Sequence, residues 1–119
     1  MSKIYIIMPI RNATTDEIQE CAEYVRKLED EGHEVFFPQR DAQQQDETGL
    51  KMIMEELETI ATADEVHIMW DATSCGSHFN LGVAMALGKN LKLIHSFYPD
   101  IETQSYEKAM KQWILTNAE

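Results

Sequence analysis

The stretch Ile4-Tyr5-Ile6-Ile7-Met8-Pro9-Ile10-Arg11 decides the fold. It is apolar throughout and rich in β-branched residues, with no polar residue on either side of the pleat until Arg11. Such a run makes a strand buried on both faces, as in a parallel sheet, and requires helices above and below it. The rest of the chain supplies them. Thr14 and Glu17 have the spacing of a capping box, and Ile18, Cys21, Ala22, Val25 and Leu28 recur at helical period up to Gly32. A short strand is expected at residues 34–37, ended by Pro38, and the polar residues 39–47 read as a loop. Leu50, Ile53, Met54, Leu57 and Ile60 mark a second amphipathic helix. A third strand follows at 65–70, then a small-residue loop at 71–77, and a helix at 78–87 with Gly88 as its C-cap. A fourth strand at 91–95 precedes a last helix at 105–116, with Tyr106, Met110, Trp113 and Ile114 on one side.

This alternation predicts one α/β domain over residues 1–119, a doubly wound, Rossmann-like parallel sheet of four to five strands with helices on both faces. The expected strand order is 2-1-3-4. In such sheets ligands bind beyond the carboxyl ends of the strands, where the order reverses. That crevice lies between the first and third strands, so its walls are the loops 8–15 and 71–77.

Charge narrows the choice of ligand. The 119 residues carry 10 basic and 21 acidic side chains, a net charge of −11. A polymeric nucleic acid needs clustered Lys and Arg, and an anionic membrane repels such a surface. A single small phosphate remains compatible, since one or two local donors suffice. No apolar run approaches the ~20 residues that span a bilayer, and no signal peptide is evident. Cys21 and Cys75 show neither a disulfide framework nor metal-ligand spacing. The expectation is a cytoplasmic protein with no cofactor and no metal.

The two crevice loops hold the most unusual residues. In the first, Pro9 and Ile10 lead into Arg11, whose fork of donors suits a phosphate or carboxylate. The alternative is a surface arginine paired with a neighbouring acid. In the second, Ser74-Cys75-Gly76-Ser77 stands at a helix start, where backbone N–H groups, two hydroxyls and the helix dipole form an anion cradle. The alternative there is a plain N-cap and turn. Asp71 is placed to bind sugar hydroxyls or to cap its own loop, and His78 to touch ligand or to face solvent. Cys75 reads as a small loop residue, and His67 and His95 as hydrogen-bonded strand residues.

With those residues in view, the chain resembles the nucleoside 2-deoxyribosyltransferase superfamily, which includes the deoxynucleoside 5'-monophosphate N-glycosidases. The resemblance rests on Ile4-Tyr5-Ile6, Pro9-Ile10-Arg11, Ala63-Asp64-Glu65-Val66 and the block from Ser74 through Asn80-Leu81-Gly82 to Gly88-Lys89. It implies a small nucleoside or nucleotide ligand and an acid nucleophile that attacks the anomeric carbon, passing the sugar to another base or to water. By the same resemblance Tyr5 orients the nucleophile, and Arg11, Ser74 and Gly76 hold a 5'-phosphate. Glu56 falls where the family has an aspartate near the leaving base. Asn80 stands where the family has its nucleophilic glutamate, and an amide cannot form the sugar ester.

Three readings follow. The first is a transferase or hydrolase whose carboxylate has been lost naturally or replaced by engineering. The second is a non-catalytic protein that binds or sequesters a nucleotide derivative, and the third is an α/β interaction module without a small ligand. The resemblance also implies a homodimer or higher oligomer; the apolar side of the last helix fits that or packing within the chain.

Overall fold

The computed structural model describes residues 1–42, 47–98 and 104–117. Its strands are β1 (Lys3–Ile7), β2 (Glu34–Phe36), β3 (Glu65–Trp70) and β4 (Asn90–Ser96), joined by α1 (Thr15–Asp30), α2 (Pro38–Asp41), α3 (Leu50–Thr62) and α4 (Cys75–Ala86), with α5 (Tyr106–Asn117) at the end. All strand pairs are parallel, in the expected order β2-β1-β3-β4. Tyr5 lies beside Phe36 on one side and Val66 on the other.

The period of two along β1 separates two cores. Tyr5 and Ile7 pack with Ile60, Ile68, Trp70, Leu81 and Met110, contributed by α3, β3, α4 and α5. Ile4, Ile6 and Met8 point the other way, against Cys21, Val25 and Leu28 of α1. Each fully buried isoleucine contributes about 1.5–3 kcal/mol, so a polar residue in β1 would be costly on either face.

The capping box forms as expected. Glu17 N–H donates to Thr14 Oγ1 at 3.1 Å and Thr14 N–H to Glu17 Oε1 at 2.8 Å. Several boundaries differ from the sequence reading: β1 ends at Ile7 and not at Ile10, β2 ends one residue early at Phe36, and α5 is shifted by one residue. Residues 39–41 are not loop but belong to α2, because Pro38 opens the turn and Asp41 Oδ2 accepts from Phe37 N–H at 2.9 Å; residues 43–46 of that expected loop lie outside the described residues. α4 starts three residues early, at Cys75, because Ser74 Oγ accepts from Ser77 N–H at 3.2 Å and so makes Ser74 the N-cap. β4 gains a residue at each end, with a register shift between Ile68 and Met69 that pairs Met69 with His95.

Candidate functional site

β2 lies outside β1 and β4 outside β3, so the strand order reverses between β1 and β3. At their carboxyl ends the chain turns sharply. Asn12 takes a left-handed conformation (φ 64°), which asparagine tolerates better than most residues. Pro9 is buried and Ile10 packs at the edge of the α1-side core, so both shape the loop more than they offer polar groups. Arg11 is exposed and makes no ion pair among the described residues. Among the described residues, the surface-pairing alternative for Arg11 is not realised.

Across the crevice, Asp71 is buried and accepts from Thr73 N–H at 2.8 Å and Thr73 Oγ1–H at 2.6 Å. It caps its own loop, as one of its two expected roles required. Gly76 lies exposed in the first turn of α4, with open space where a side chain would stand. The backbone there can be approached closely. Ser77 turns inward instead: it is 1 % exposed and its Oγ is buried without a hydrogen-bond partner. Of the two hydroxyls expected in the cradle, Ser74 is the one at the helix mouth, half-buried and acting as cap. His78 Nδ1–H donates to the Ser74 carbonyl at 2.8 Å, and its ring lies 4.8 Å from both Trp70 and Tyr106. A carbonyl can only accept, so Nδ1 carries a proton.

Beneath these loops lies a buried polar cluster that joins three elements. Asn80 of α4 donates from Nδ2 to Glu56 Oε1 at 2.9 Å and to Tyr5 Oη at 3.2 Å. Tyr5 of β1 donates from Oη to the same Glu56 Oε1, again at 2.9 Å. Tyr5 is 0 % exposed, and Glu56 and Asn80 are each 6 % exposed. Burial, reinforced by the Glu56 charge, raises the Tyr5 pKa far above its usual range, so the phenol stays protonated and donates. Stacking of Tyr5 on Phe36, with ring centroids 5.5 Å apart, fixes its plane. Sequence reading grouped these three residues through the resemblance alone; helical period by itself assigns Glu56 only to α3.

One neighbour was legible merely as a cap. Glu17 is 3 % exposed, and burial together with the nearby Asp71 carboxyl raises its pKa. Burial also acts to raise Asp71, but hydrogen bonds from Glu17 and Thr73 prevail and hold its pKa low. Glu17 Oε2 is buried and lacks a partner at ordinary hydrogen-bond distance. Elsewhere, His67 is clamped between Tyr24 Oη (2.6 Å) and Glu65 Oε1 (2.8 Å), a strand-bound structural role as expected. His95 instead reaches the surface and meets Glu20 at 3.2 Å. Lys89 holds the end of α3 through the Ala61 and Ala63 carbonyls.

Among the described residues no group of three or more His, Cys, Asp or Glu could hold a metal ion, and no helix is long and apolar enough to cross a membrane. Two surface hollows of about 380 and 630 Å³ open at the opposite, amino-terminal edge of the sheet, and neither is lined by a residue of the crevice.

No family model matches the chain, and no curated protein matches it by sequence. Solved structures do match. A 2-deoxyribosyltransferase from Bacillus psychrosaccharolyticus is 22 % identical at a TM-score of 0.66, covering 89 % of this chain and 94 % of its own. This chain has the 2-deoxyribosyltransferase fold. The 2-deoxyribosyltransferase of Leishmania mexicana shares it at 17 % identity and a TM-score of 0.60, covering 97 % and 98 % of the two chains. The CMP N-glycosidase of Clostridium botulinum does so at 18 % and 0.60, covering 94 % and 81 %.

Proposed function

We propose that this chain binds a nucleoside or nucleoside 5'-monophosphate at the β1–β3 crevice, with the N-glycosidic bond as the bond acted upon. The observation that carries this reading is the Tyr5–Glu56–Asn80 cluster. It puts a carboxylate held by two donors beneath the crevice of a fold shared with enzymes named for nucleoside and nucleotide chemistry. Arg11, exposed and unpaired among the described residues, and the α4 start at Ser74–Gly76 supply donors for a 5'-phosphate. Asp71 and His78 flank the sugar side. Hydrolysis or transfer is the activity of this reading, and sequestration without turnover is its alternative.

Thermal melting against a panel of nucleosides and their 5'-monophosphates tests the binding step. A ligand at tenfold excess over Kd adds ~1.4 kcal/mol of stability. A shift with phosphorylated members that Arg11→Ala abolishes supports the site. No shift with any member refutes it and leaves the interaction-module reading. Free thiols at both Cys21 and Cys75 suit a reducing, cytoplasmic setting. The homo-oligomer that the family resemblance implies belongs to the same reading, and a monomeric mass in solution would remove that part.

A further inference from the structure

The geometry points to Glu56 as a general base that activates a water molecule held between it and Asn80, making the reaction a single-displacement hydrolysis without a covalent sugar–enzyme intermediate. This rests on the ligand reading above and adds the reaction type.

The hydrogen-bond pattern carries the inference. Asn80 presents Nδ2 to two oxygens, Glu56 Oε1 and Tyr5 Oη, and this fixes which end of the amide faces them. Its Oδ1 is therefore the end left without a bond to either of them. Glu56 takes both of its donors on Oε1. Glu56 Oε2 and Asn80 Oδ1 carry no hydrogen bond among the described residues. Neither is sealed from solvent: the fully buried side-chain oxygens without a partner are those of Glu17, Gln39, Ser77 and Glu107. Two free acceptors thus stand on adjacent side chains that are tied together by the 2.9 Å hydrogen bond from Asn80 Nδ2 to Glu56 Oε1. A water that donates one hydrogen to each keeps its lone pairs directed away from the protein, towards the crevice.

Asn80 itself cannot attack, because an amide is neutral and a poor nucleophile. Glu56 is anchored through Oε1 by two donors on two different elements, an arrangement that fixes a base more than it frees a nucleophile. In the step, the water oxygen bonds to the anomeric carbon as Glu56 Oε2 takes its proton. The C–N bond breaks with its electron pair going to the base nitrogen. That nitrogen then takes up a proton from solvent, and Glu56 returns its own, so one water is consumed and free sugar and free base are made.

The test follows base release from the four 2'-deoxynucleoside 5'-monophosphates and from CMP by the intact chain and by Glu56→Gln and Asn80→Asp, with melting shifts on the same ligands. The expected result is base release by the intact chain that falls about a hundredfold or more in Glu56→Gln, with the ligand-induced melting shift kept. Reactions with an added free base should give no exchanged nucleotide, and those in aqueous methanol no methyl glycoside with the configuration of the substrate. Unchanged release by Glu56→Gln overturns the proposal. So does base exchange, a retained methyl glycoside, or a sugar adduct on the protein by mass spectrometry. A melting shift with no base release from any substrate overturns it while leaving the binding reading intact. Absence of both shift and release overturns the binding reading as well. Should Glu56→Gln fail to fold, loss of release in Asn80→Asp with an unchanged far-UV spectrum and retained ligand shift still supports a placed water, and undiminished release there counts against it.

Discussion

Asn80 Nδ2 lies 2.9 Å from Glu56 Oε1, so the buried carboxylate has an amide, and not a second acid, for its neighbour. This single relationship makes the cluster stable: a donor meets an acceptor where two carboxylates would repel. The consequences reach both stability and ligand response.

Replacing Asn80 by Asp places two carboxylates in contact at 6 % exposure. One of them must then hold a proton, so the folded pKa of the pair rises above its unfolded value. The sign follows: the variant matches the parent in acid and loses stability as pH rises through the raised pKa. Urea unfolding should show a deficit of about 1–3 kcal/mol near neutrality that closes below about pH 4. A deficit independent of pH would contradict this account.

Tyr5→Phe removes one donor from Glu56 and one acceptor from Asn80 but keeps the ring that stacks on Phe36. The expected cost is about 1–3 kcal/mol for the weakened buried pair. Denaturant midpoints measure it, and an unchanged midpoint would show that the hydroxyl matters little to the fold.

Arg11→Ala should leave the melting temperature of the free protein within about 0.5 kcal/mol of the parent, because Arg11 is exposed and unpaired among the described residues. The same substitution should abolish the extra stabilisation by 5'-phosphorylated ligands over their nucleosides. Equal loss for both ligand classes would place Arg11 away from the phosphate.

Burial, opposed only in part by Glu65, lowers the His67 pKa, so the folded state favours the neutral ring. Its contribution is therefore present above the unfolded value of about 6.5 and is lost as pH falls towards the depressed folded value. A His67→Gln variant should flatten the stability profile below about pH 6.5. An NMR titration of the His67 ring that gives an ordinary or raised pKa would refute the assignment.

The local signals were strong wherever one residue's neighbours in sequence decide its state. Thr14 and Glu17 announced their cap, and the uninterrupted apolar run that begins at Ile4 announced a strand buried on both faces. The same locality misled at Pro38, where a proline that ends a strand also opens the short helix α2. It misled again at Ser74, where the cap depends on a side chain three residues from its donor. The inward turn of Ser77 could not be read at all, since a first-turn serine faces solvent or core according to what packs above it.

The sequence by itself determined the α/β alternation, the parallel sheet, its strand order and the two crevice loops, because periodicity and covered-strand composition are local properties of the chain. Only the tertiary structure decided that Tyr5, Glu56 and Asn80 converge on one carboxylate oxygen. These residues come from β1, α3 and α4, and Tyr5 and Asn80 stand 75 positions apart in the chain. Their distances follow from how the helices settle on the sheet, a sum of many packing contacts that no single segment encodes. The same packing made Asn80 a donor to Glu56.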